Sequence, residues 1–565
     1  MSEKKNGKPS LPKTGVRGAG KKASAKKSVC KGRKAEKRKD QRLGTERLAS
    51  ERTEAVTIFD MSEDGQGIGR TEEGLTLFVD GAVPGDRVRA RITKEKKRYA
   101  FAEMKEILAP SPDRIDSLCP YNDICGGCTM QELAPEAQHR LKEAQVRSKL
   151  ERIAGLEAPT VRPLVTSPEE FRYRNKAEFA VRMESGEAVV GFMKRGSHEV
   201  FDCEDCLLQK RTTMAVAEAI RCLIDQGYLE IYDPKTKEGL LRSFTVKLCE
   251  GTGDLMLILT TAKPDLPNAQ EIVDCVNDFV LEAQDDEEEF YLTSVVLEVK
   301  KKSLREYAED YVVLAGERVI TDEVNGLQFE LAPASFYQVN TPQMVHLYEI
   351  AAQYAGLTGT ETLLDLYCGV GTVGLSMVKQ AGMVIGIEVV KEAILNANRN
   401  AVLNSVVNAR YYAGKTEDIL SRLFDPEDKI YASYLDPEAE IVAVLDPPRA
   451  GCEEAVLQTL ADTGVSRIVY ISCDPGTLAR DVKRLTEMGY SFLEATPVEM
   501  FPWTGHIETV CLLSKLHSDR HIEVEVKMDE LDLTAELPRL KNNPNVTKIT
   551  TIDPKTGIEH VIFER

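Results

Sequence analysis

Apolar residues in the C-terminal half of the chain occur in short runs without polar alternation, which is typical of buried parallel strands. Four such runs lie at residues 362–367, 383–387, 441–445 and 468–471. Helical spacing of apolar positions occurs before and between these runs, for instance at residues 345–354 and 391–400. Strands and helices that alternate in this way predict a doubly wound, Rossmann-like α/β domain over residues 341–515.

The N-terminal half follows other patterns. Residues 51–110 contain short alternating runs separated by glycine turns, which predicts a small OB-like β-barrel. Residues 111–340 predict a central mixed α/β domain that includes an amphipathic helix at residues 133–155, expected to pack on the C-terminal domain. Its strand-like runs lie at residues 177–183, 241–249, 254–261 and 294–300. An acidic run at residues 285–289 is interpreted as a solvated loop.

Charge separates the first 50 residues from the rest of the chain. They hold 17 Lys and Arg against four Asp and Glu, a balance of +13, whereas the whole chain carries −18 and the remainder therefore −31. Such a Lys-, Gly- and Ser-rich segment predicts a disordered basic tail. We favour the interpretation that this tail contacts a polyanion over the interpretation that it only increases solubility. Residues 516–565 receive no interpretation beyond a strand-like run at residues 559–563.

Several classes of protein are excluded at this level. No apolar run approaches the ~18 residues of a membrane span, and the basic start lacks the apolar core of an export signal. We therefore expect a monomeric cytoplasmic protein without a membrane partner. Its 13 cysteines are interpreted as thiols and metal ligands and not as disulfides.

Three cysteines are clustered. Cys119, Cys125 and Cys128 fall within ten residues, and two glycines there free the backbone. A fourth ligand can come from Cys203 or Cys206. Four thiolates suit either structural zinc or an iron–sulfur cluster. The asymmetric spacing favours iron–sulfur, because zinc sites usually consist of two closely spaced pairs. Chance clustering of unliganded thiols is the least favoured interpretation.

Polar residues follow the ends of the predicted parallel strands. A glycine turn begins at Gly369, Glu388 ends the second strand, and Asp446 and Cys473 follow the next two. Ligands bind at the carboxyl ends of strands in such sheets. The four groups together therefore predict a single site.

Two residues have the chemistry of catalytic groups. Cys473 lies between a strand and a helix, where backbone N–H groups and the helix dipole are expected to favour the thiolate; the alternative is an ordinary core thiol. Glu508 lies near the start of a predicted strand at residues 506–513. Burial among apolar residues would raise its pKa and suit it to act as a base. The alternative is an edge-strand glutamate that faces water.

The glycine turn alone leaves the cofactor open. The spacing of Gly369, Gly371 and Gly374 fits a dinucleotide site, with Glu388 as the ribose-binding acid, and so indicates a nicotinamide-dependent oxidoreductase. The same geometry accommodates S-adenosylmethionine. The Asp-Pro-Pro-Arg sequence at residues 446–449 favours the latter, because many nucleobase methyltransferases have a similar stiff corner.

Several motifs together support a family resemblance. They lie, in order, at residues 335–340, 365–371, 446–449, 472–476 and 506–508. As a set they resemble the RNA uracil-5-methyltransferases. The segments at residues 67–70 and 83–88 resemble a TRAM domain. With the cysteine cluster, the chain is similar to the branch that acts on large-subunit (23S) rRNA, over roughly residues 50–515.

The resemblance implies an enzyme that methylates C5 of an RNA uridine with S-adenosylmethionine. Cys473 would add to C6 and Glu508 would remove the C5 proton, while Asp446 holds the base. The implied cofactor-site residues are Gln338, Tyr367, Gly369, Glu388, Glu417 and Asp446. The implied [4Fe-4S] ligands are Cys119, Cys125, Cys128 and, as the fourth, Cys206. A tRNA substrate is the first alternative, ahead of a nicotinamide-dependent oxidoreductase and a non-catalytic RNA-binding assembly factor.

Overall fold

A computed structural model describes residues 52–184, 186–300, 310–428, 432–436 and 438–515, together with the backbone of three later strands. The predicted basic tail lies outside these residues. Among the helices of the described part, none is long and apolar enough to cross a membrane.

The N-terminal strands close into a barrel in the order β1-β2-β3-β5-β4. They are β1 (Thr53–Met61), β2 (Gly67–Arg70), β3 (Thr76–Asp80), β4 (Arg87–Glu95) and β5 (Tyr99–Ala109). Strict alternation places Val88 and Ala90 inside while Arg89 and Arg91 face outward. Gly67 is required where the barrel closes, because a Cβ there would lie 2.5 Å from the Ala82 carbonyl oxygen. The predicted barrel is confirmed.

Helix α1 (Pro135–Lys149) continues as a π-helical turn, Leu150–Ala154, and ends at Gly155, whose φ is 73°. A mixed seven-stranded sheet follows in the order β12-β11-β10-β9-β6-β7-β8. Its elements, with the hairpin β13–β14 after it, are β6 (Lys176–Glu184), β7 (Glu187–Met193), β8 (Val200–Asp202), α2 (Arg211–Asp225), β9 (Leu241–Leu248), β10 (Asp254–Thr261), α3 (Ala269–Glu282), β11 (Tyr291–Val299), β12 (Asp310–Gly316), β13 (Ile320–Val324) and β14 (Leu327–Leu331).

The acidic run at residues 285–289 is an exposed loop, as predicted, except for one residue. Glu288 is buried and accepts hydrogen bonds from the Arg211 and Thr212 amides, at 2.9 and 3.0 Å. It caps α2 because the first amides of a helix have no partner within the helix.

The C-terminal sheet has the order β17-β16-β15-β18-β19-β21-β20. Its elements are α4 (Thr341–Ala355), β15 (Thr362–Leu366), α5 (Thr372–Met377), β16 (Met383–Glu388), α6 (Lys391–Leu403), β17 (Ala409–Ala413), α7 (Thr416–Leu423), β18 (Ile441–Leu445), α8 (Glu454–Asp462), β19 (Arg467–Ser472), α9 (Pro475–Glu487), β20 (Tyr490–Val498) and β21 (Glu508–Lys515). Strands β15 to β19 are parallel, and β21 is antiparallel to both neighbours. Every residue of β15 is buried, which explains why such runs are largely apolar and do not alternate. The predicted fold class is confirmed.

The segment around α1 packs on the C-terminal sheet, as expected. Val146 and Leu150 share one apolar core with Leu478 and Val482 of α9. A further three-stranded sheet consists of β22 (Ile522–Lys527), β23 (Val546–Ile552) and β24 (Glu559–Glu564), and it includes the strand-like run seen near residue 560. The domain limits drawn from the sequence stay predictions, and each of the three larger sheets falls within one predicted segment.

Candidate active site

The predicted site residues meet at one edge of the C-terminal sheet. The parallel strands β15, β16, β18 and β19 end there, and the glycine turn, Glu388, Asp446 and Cys473 lie at or just after those ends. Strand β21 runs in the opposite direction, so its first residue, Glu508, lies at the same edge, next to the pairing of Ser472 with Thr509. We call this edge, with Asp446, Cys473 and Glu508, the catalytic rim.

The electrostatics of Cys473 differ from the prediction. Its thiol does not receive the free amides of α9, because the Asp474 carboxylate accepts hydrogen bonds from the Gly476 and Thr477 N–H groups at 2.7 and 3.0 Å. Burial, and then the nearby Glu508, raise the pKa of Cys473 to about 11. Arg449 acts in the opposite direction but does not prevail. The expectation of a thiol shifted toward thiolate is therefore wrong for the protein without ligands.

Glu508 and Asp446 are also shifted toward their neutral forms. Glu508 is buried, and burial, followed by the charge of Asp446, raises its pKa well above the ordinary value, in the predicted direction. Its strand lies between β19 and β20, which excludes the water-facing edge glutamate. Burial raises the pKa of Asp446 to about 7. Two carboxyl groups and a thiol this close cannot all ionise independently.

The glycine turn leaves space at the same edge. Tyr367 and Gly369 both have positive φ, 64° and 55°, and a Cβ on Gly369 would meet no heavy atom within 4 Å. Beneath the turn the buried Asp365 accepts a hydrogen bond from the Gly374 N–H at 2.8 Å. Its other oxygen has no partner within the described residues. A backbone that turns outward around open space suits a nucleoside ligand.

Glu388 and Glu417 flank this turn. Glu388 accepts a hydrogen bond from the Val390 N–H at 2.8 Å, which fixes its carboxylate at the end of β16. Glu417 lies in the first turn of α7 and is close enough to Tyr367 to help raise the pKa of that phenol, after burial and the neighbouring Cys452 thiol.

Gln338 is buried on the loop that precedes α4. The central sheet holds this loop: the Asn175 side-chain amide donates to the Gln338 carbonyl oxygen at 2.8 Å, and the buried Lys247 ammonium donates to the Ser335 carbonyl oxygen at 2.9 Å. Phe336 projects from the loop and is 69% exposed. Phe336, Lys247 and Asp365 were not predicted as site residues, although Phe336 and Asp365 lie within the sequence motifs at residues 335–340 and 365–371.

The clustered thiols lie in the central region. They line a cavity of about 490 Å³ together with Cys203. Arg195 crosses its wall and donates to the Asn122 and Cys128 carbonyl oxygens at 3.1 and 3.2 Å. Burial raises the pKa of Cys128 to about 12. Within the described part of the chain, no three His, Cys, Asp or Glu side chains are grouped so as to hold one metal ion.

Comparison with known proteins adds a family match. Residues 136–516 match the family model described as tRNA (Uracil-5-)-methyltransferase, and residues 51–105 match that of the TRAM domain. An uncharacterised RNA methyltransferase of Halalkalibacterium halodurans is 37% identical over 459 residues, covering 81% of this chain and 96% of that protein. Another from Listeria innocua is 36% identical over 460 residues, covering 81% and 97%.

One solved structure is also similar over most of the chain. It is the Pyrococcus abyssi tRNA (uracil-54, C5)-methyltransferase in complex with S-adenosyl-L-homocysteine. The two chains share 26% identity with a TM-score of 0.61, over 81% of this chain and 100% of that one.

Proposed function

This chain belongs to the tRNA (uracil-5-)-methyltransferase family, and from that premise we propose that it methylates C5 of a uridine in large-subunit (23S) rRNA. The family and the named relatives make it an S-adenosylmethionine-dependent RNA methyltransferase. The oxidoreductase and the non-catalytic assembly factor considered from the sequence are therefore wrong. The observation that carries the proposed mechanism is the meeting of Cys473, Glu508 and Asp446 at the catalytic rim.

In the proposed reaction Cys473 activates the base. Uracil C5 is a poor nucleophile until a group adds at C6, and a thiolate is suited to add there and to leave again. A C–S bond forms between Sγ and C6, and the electron pair of the C5–C6 double bond moves into an enolate. Cys473 is only partly buried, so its proton can leave to solvent before the base is bound.

Asp446 would stabilise the negative charge of the enolate, and Glu508 would accept the proton from C5. A neutral Asp446 can donate a hydrogen bond to the carbonyl oxygen on which the enolate charge develops. C5 would then take the methyl group, the sulfur–methyl bond of the donor breaking to leave S-adenosylhomocysteine, and Glu508 in its ionised form would accept the C5 proton. The C5–C6 double bond then re-forms and the C–S bond breaks, which returns the sulfur as thiolate. Every bond formed at C6 is thus broken within one turnover.

The turn around Gly369 fits the methyl donor. S-adenosylmethionine, when bound, supplies an electrophilic methyl group on its sulfonium. We assign its contacts to Gln338, Tyr367, Gly369, Glu388 and Glu417, with Asp446 at the boundary with the uracil. The open space at Gly369 and the unpartnered Asp365 oxygen beneath it support this assignment. The solved relative carries S-adenosyl-L-homocysteine according to its description.

A [4Fe-4S] cluster is proposed for the cysteine cavity. Cys119, Cys125, Cys128 and Cys206 would be its ligands, since these thiols line one cavity whose volume exceeds what a single ion needs. Cys203 is the less favoured fourth ligand, because the residue is 1% exposed and its thiol donates to the Asp205 carbonyl oxygen. Iron and sulfide analysis of anaerobically purified protein tests this proposal, and a colourless, zinc-loaded preparation refutes it.

The choice of RNA has two candidates. The barrel and the cysteine cavity support rRNA through the resemblance to that branch, whereas the solved relative is described as a tRNA enzyme. Methyl transfer to each purified RNA, followed by mapping of the product, separates them. Cys473→Ala should abolish methylation of either RNA while S-adenosylmethionine still binds. Retained turnover would eliminate the covalent route.

A further inference from the structure

The loop that leads into Glu508 is held largely by residues from outside its own sheet. This base loop comprises residues 499–507, between β20 and β21. The Thr129 and Met130 amides both donate to the Trp503 carbonyl oxygen at 3.1 Å. The Gly505 N–H in turn donates to Thr129 Oγ1 at 2.9 Å. Thr129 therefore joins the cysteine segment to a point three residues before Glu508.

The base loop has a conformation that needs such support. Trp503 has a φ of 67°, which is unfavourable for a bulky residue and persists only where the surroundings enforce it. Its ring is buried and stacks on Phe171 with centroids 5.0 Å apart. The Tyr173 hydroxyl also donates to the Pro502 carbonyl oxygen at 3.2 Å. The contacts that hold the strained residue thus come from the central region of the chain.

The barrel covers the same junction. A Cβ on Gly505 would lie 2.4 Å from the Glu63 carbonyl oxygen, and a Cβ on Gly65 would lie 2.6 Å from the Thr129 Cβ. The barrel therefore packs directly against both Thr129 and Gly505. The Gly505 amide is buried, so water cannot readily replace the Thr129 oxygen as its acceptor.

We propose that Thr129 is a positioning residue for Glu508, acting through the hydrogen bond to Gly505 and the two bonds to Trp503. This inference rests on the proposed function, in which Glu508 accepts the C5 proton after methyl transfer. Addition of Cys473 and methyl transfer do not need that carboxylate. A displaced base loop therefore slows only the last step, and the methylated RNA stays covalently attached to Cys473.

Thr129→Val tests the proposal, because it keeps the shape of the side chain and removes the acceptor oxygen. Leaving one buried donor unsatisfied should lower kcat about tenfold, with unchanged affinity for S-adenosylmethionine and KM for RNA changed far less than kcat. A protein–RNA adduct should accumulate on denaturing gels. Thr129→Ser retains the hydroxyl and should behave like the natural enzyme. Glu508→Gln, which lacks the base, serves as the reference for full trapping.

The outcomes separate the two proposals. If Glu508→Gln traps RNA while Thr129→Val turns over normally, or slows without adduct, the positioning role is wrong and the proposed function stands. If Glu508→Gln itself forms no adduct and turns over normally, the proposed base is wrong, and the role of Thr129 fails with it. Should Thr129→Val not fold, Thr129→Ala removes the same acceptor oxygen, and an adduct level equal to that of the natural enzyme overturns the proposal.

Discussion

The state of the Cys473 thiol can be tested by alkylation of the RNA-free protein at increasing pH. Burial and the neighbouring Glu508 hold its pKa at about 11, whereas an unperturbed thiol has a pKa of about 8.5–9. At pH 8 a pKa of 11 leaves ~0.1% of the sulfur as thiolate, against roughly 10% for a pKa of 9. Only the thiolate reacts, but a thiolate that is two pKa units more basic is also roughly tenfold more nucleophilic, so Cys473 should be alkylated about tenfold more slowly than a free thiol.

The assay is the rate of iodoacetamide labelling of Cys473, followed by mass spectrometry of the peptide that contains it. The rate should rise about tenfold per pH unit up to the limit of the folded protein. Cys473→Ala identifies the labelled site, and the partly exposed Cys222 serves as a reference thiol in the same sample. A labelling midpoint below pH 9 would show that the amides of α9 reach the sulfur after all, as the sequence had suggested.

Three further predictions concern stability and cofactor binding. Lys142→Met leaves the buried Glu499 without its ammonium partner at 2.9 Å and should lower the free energy of unfolding in urea by about 3 kcal/mol. Lys149→Met, on the exposed face of the same helix, is the control and should lower it by under ~1 kcal/mol. Burial raises the pKa of Glu499, but its hydrogen-bonded partners lower that pKa overall. The stabilisation contributed by the Lys142–Glu499 ion pair is therefore complete above the pKa of about 4.3 that the group has in the unfolded chain, and it is lost as the pH falls through the lower pKa of the folded state. Asp474→Ala removes the N-cap of α9, which should cost about 1 kcal/mol and lower the alkylation midpoint of the adjacent thiol. Gly371→Ala places a Cβ at a φ of 84° and 2.9 Å from a tyrosine hydroxyl, and calorimetry should show S-adenosylmethionine binding about tenfold more weakly.

The parts of this fold that could be predicted from the sequence are those set by local pattern. Buried parallel strands have no polar face, so β15, β16, β18 and β19 appear as largely apolar runs whose ends are well defined. The barrel is equally visible, because its alternation has a strict period of two. Since the ends of parallel strands meet at one edge, most of the candidate site followed from the same runs.

The other features of the site depend on competition between side chains for the same backbone amides and on residues distant in sequence, and a local sequence pattern shows neither. Glu508 reaches the catalytic rim only because β21 runs antiparallel to β19. The direction of a strand in a sheet cannot be predicted from the residues of that strand alone. Cys473 and Asp474 both compete for the amides of α9, and the Asp474 carboxylate prevails. The preference of Asp for N-cap positions was a usable signal there. Glu288 caps a helix that begins 77 residues earlier in the chain. The sequence around Glu288 therefore contains nothing that predicts its burial.

A thiol with a raised pKa is compatible with the proposed reaction because the negative charge leaves the sulfur when the thiolate adds to the base. In the free protein a thiolate at Cys473 is opposed by burial and by Glu508. On addition to C6 the negative charge leaves the sulfur for the uracil oxygen, where Asp446, whose pKa is about 7, can donate a hydrogen bond as a neutral acid. The more basic a thiolate is, the more nucleophilic it is, so the same environment that makes the thiolate scarce also makes it reactive. The catalytic rim therefore favours the adduct over the free anion, and it leaves the breakdown of the adduct dependent on the position of Glu508.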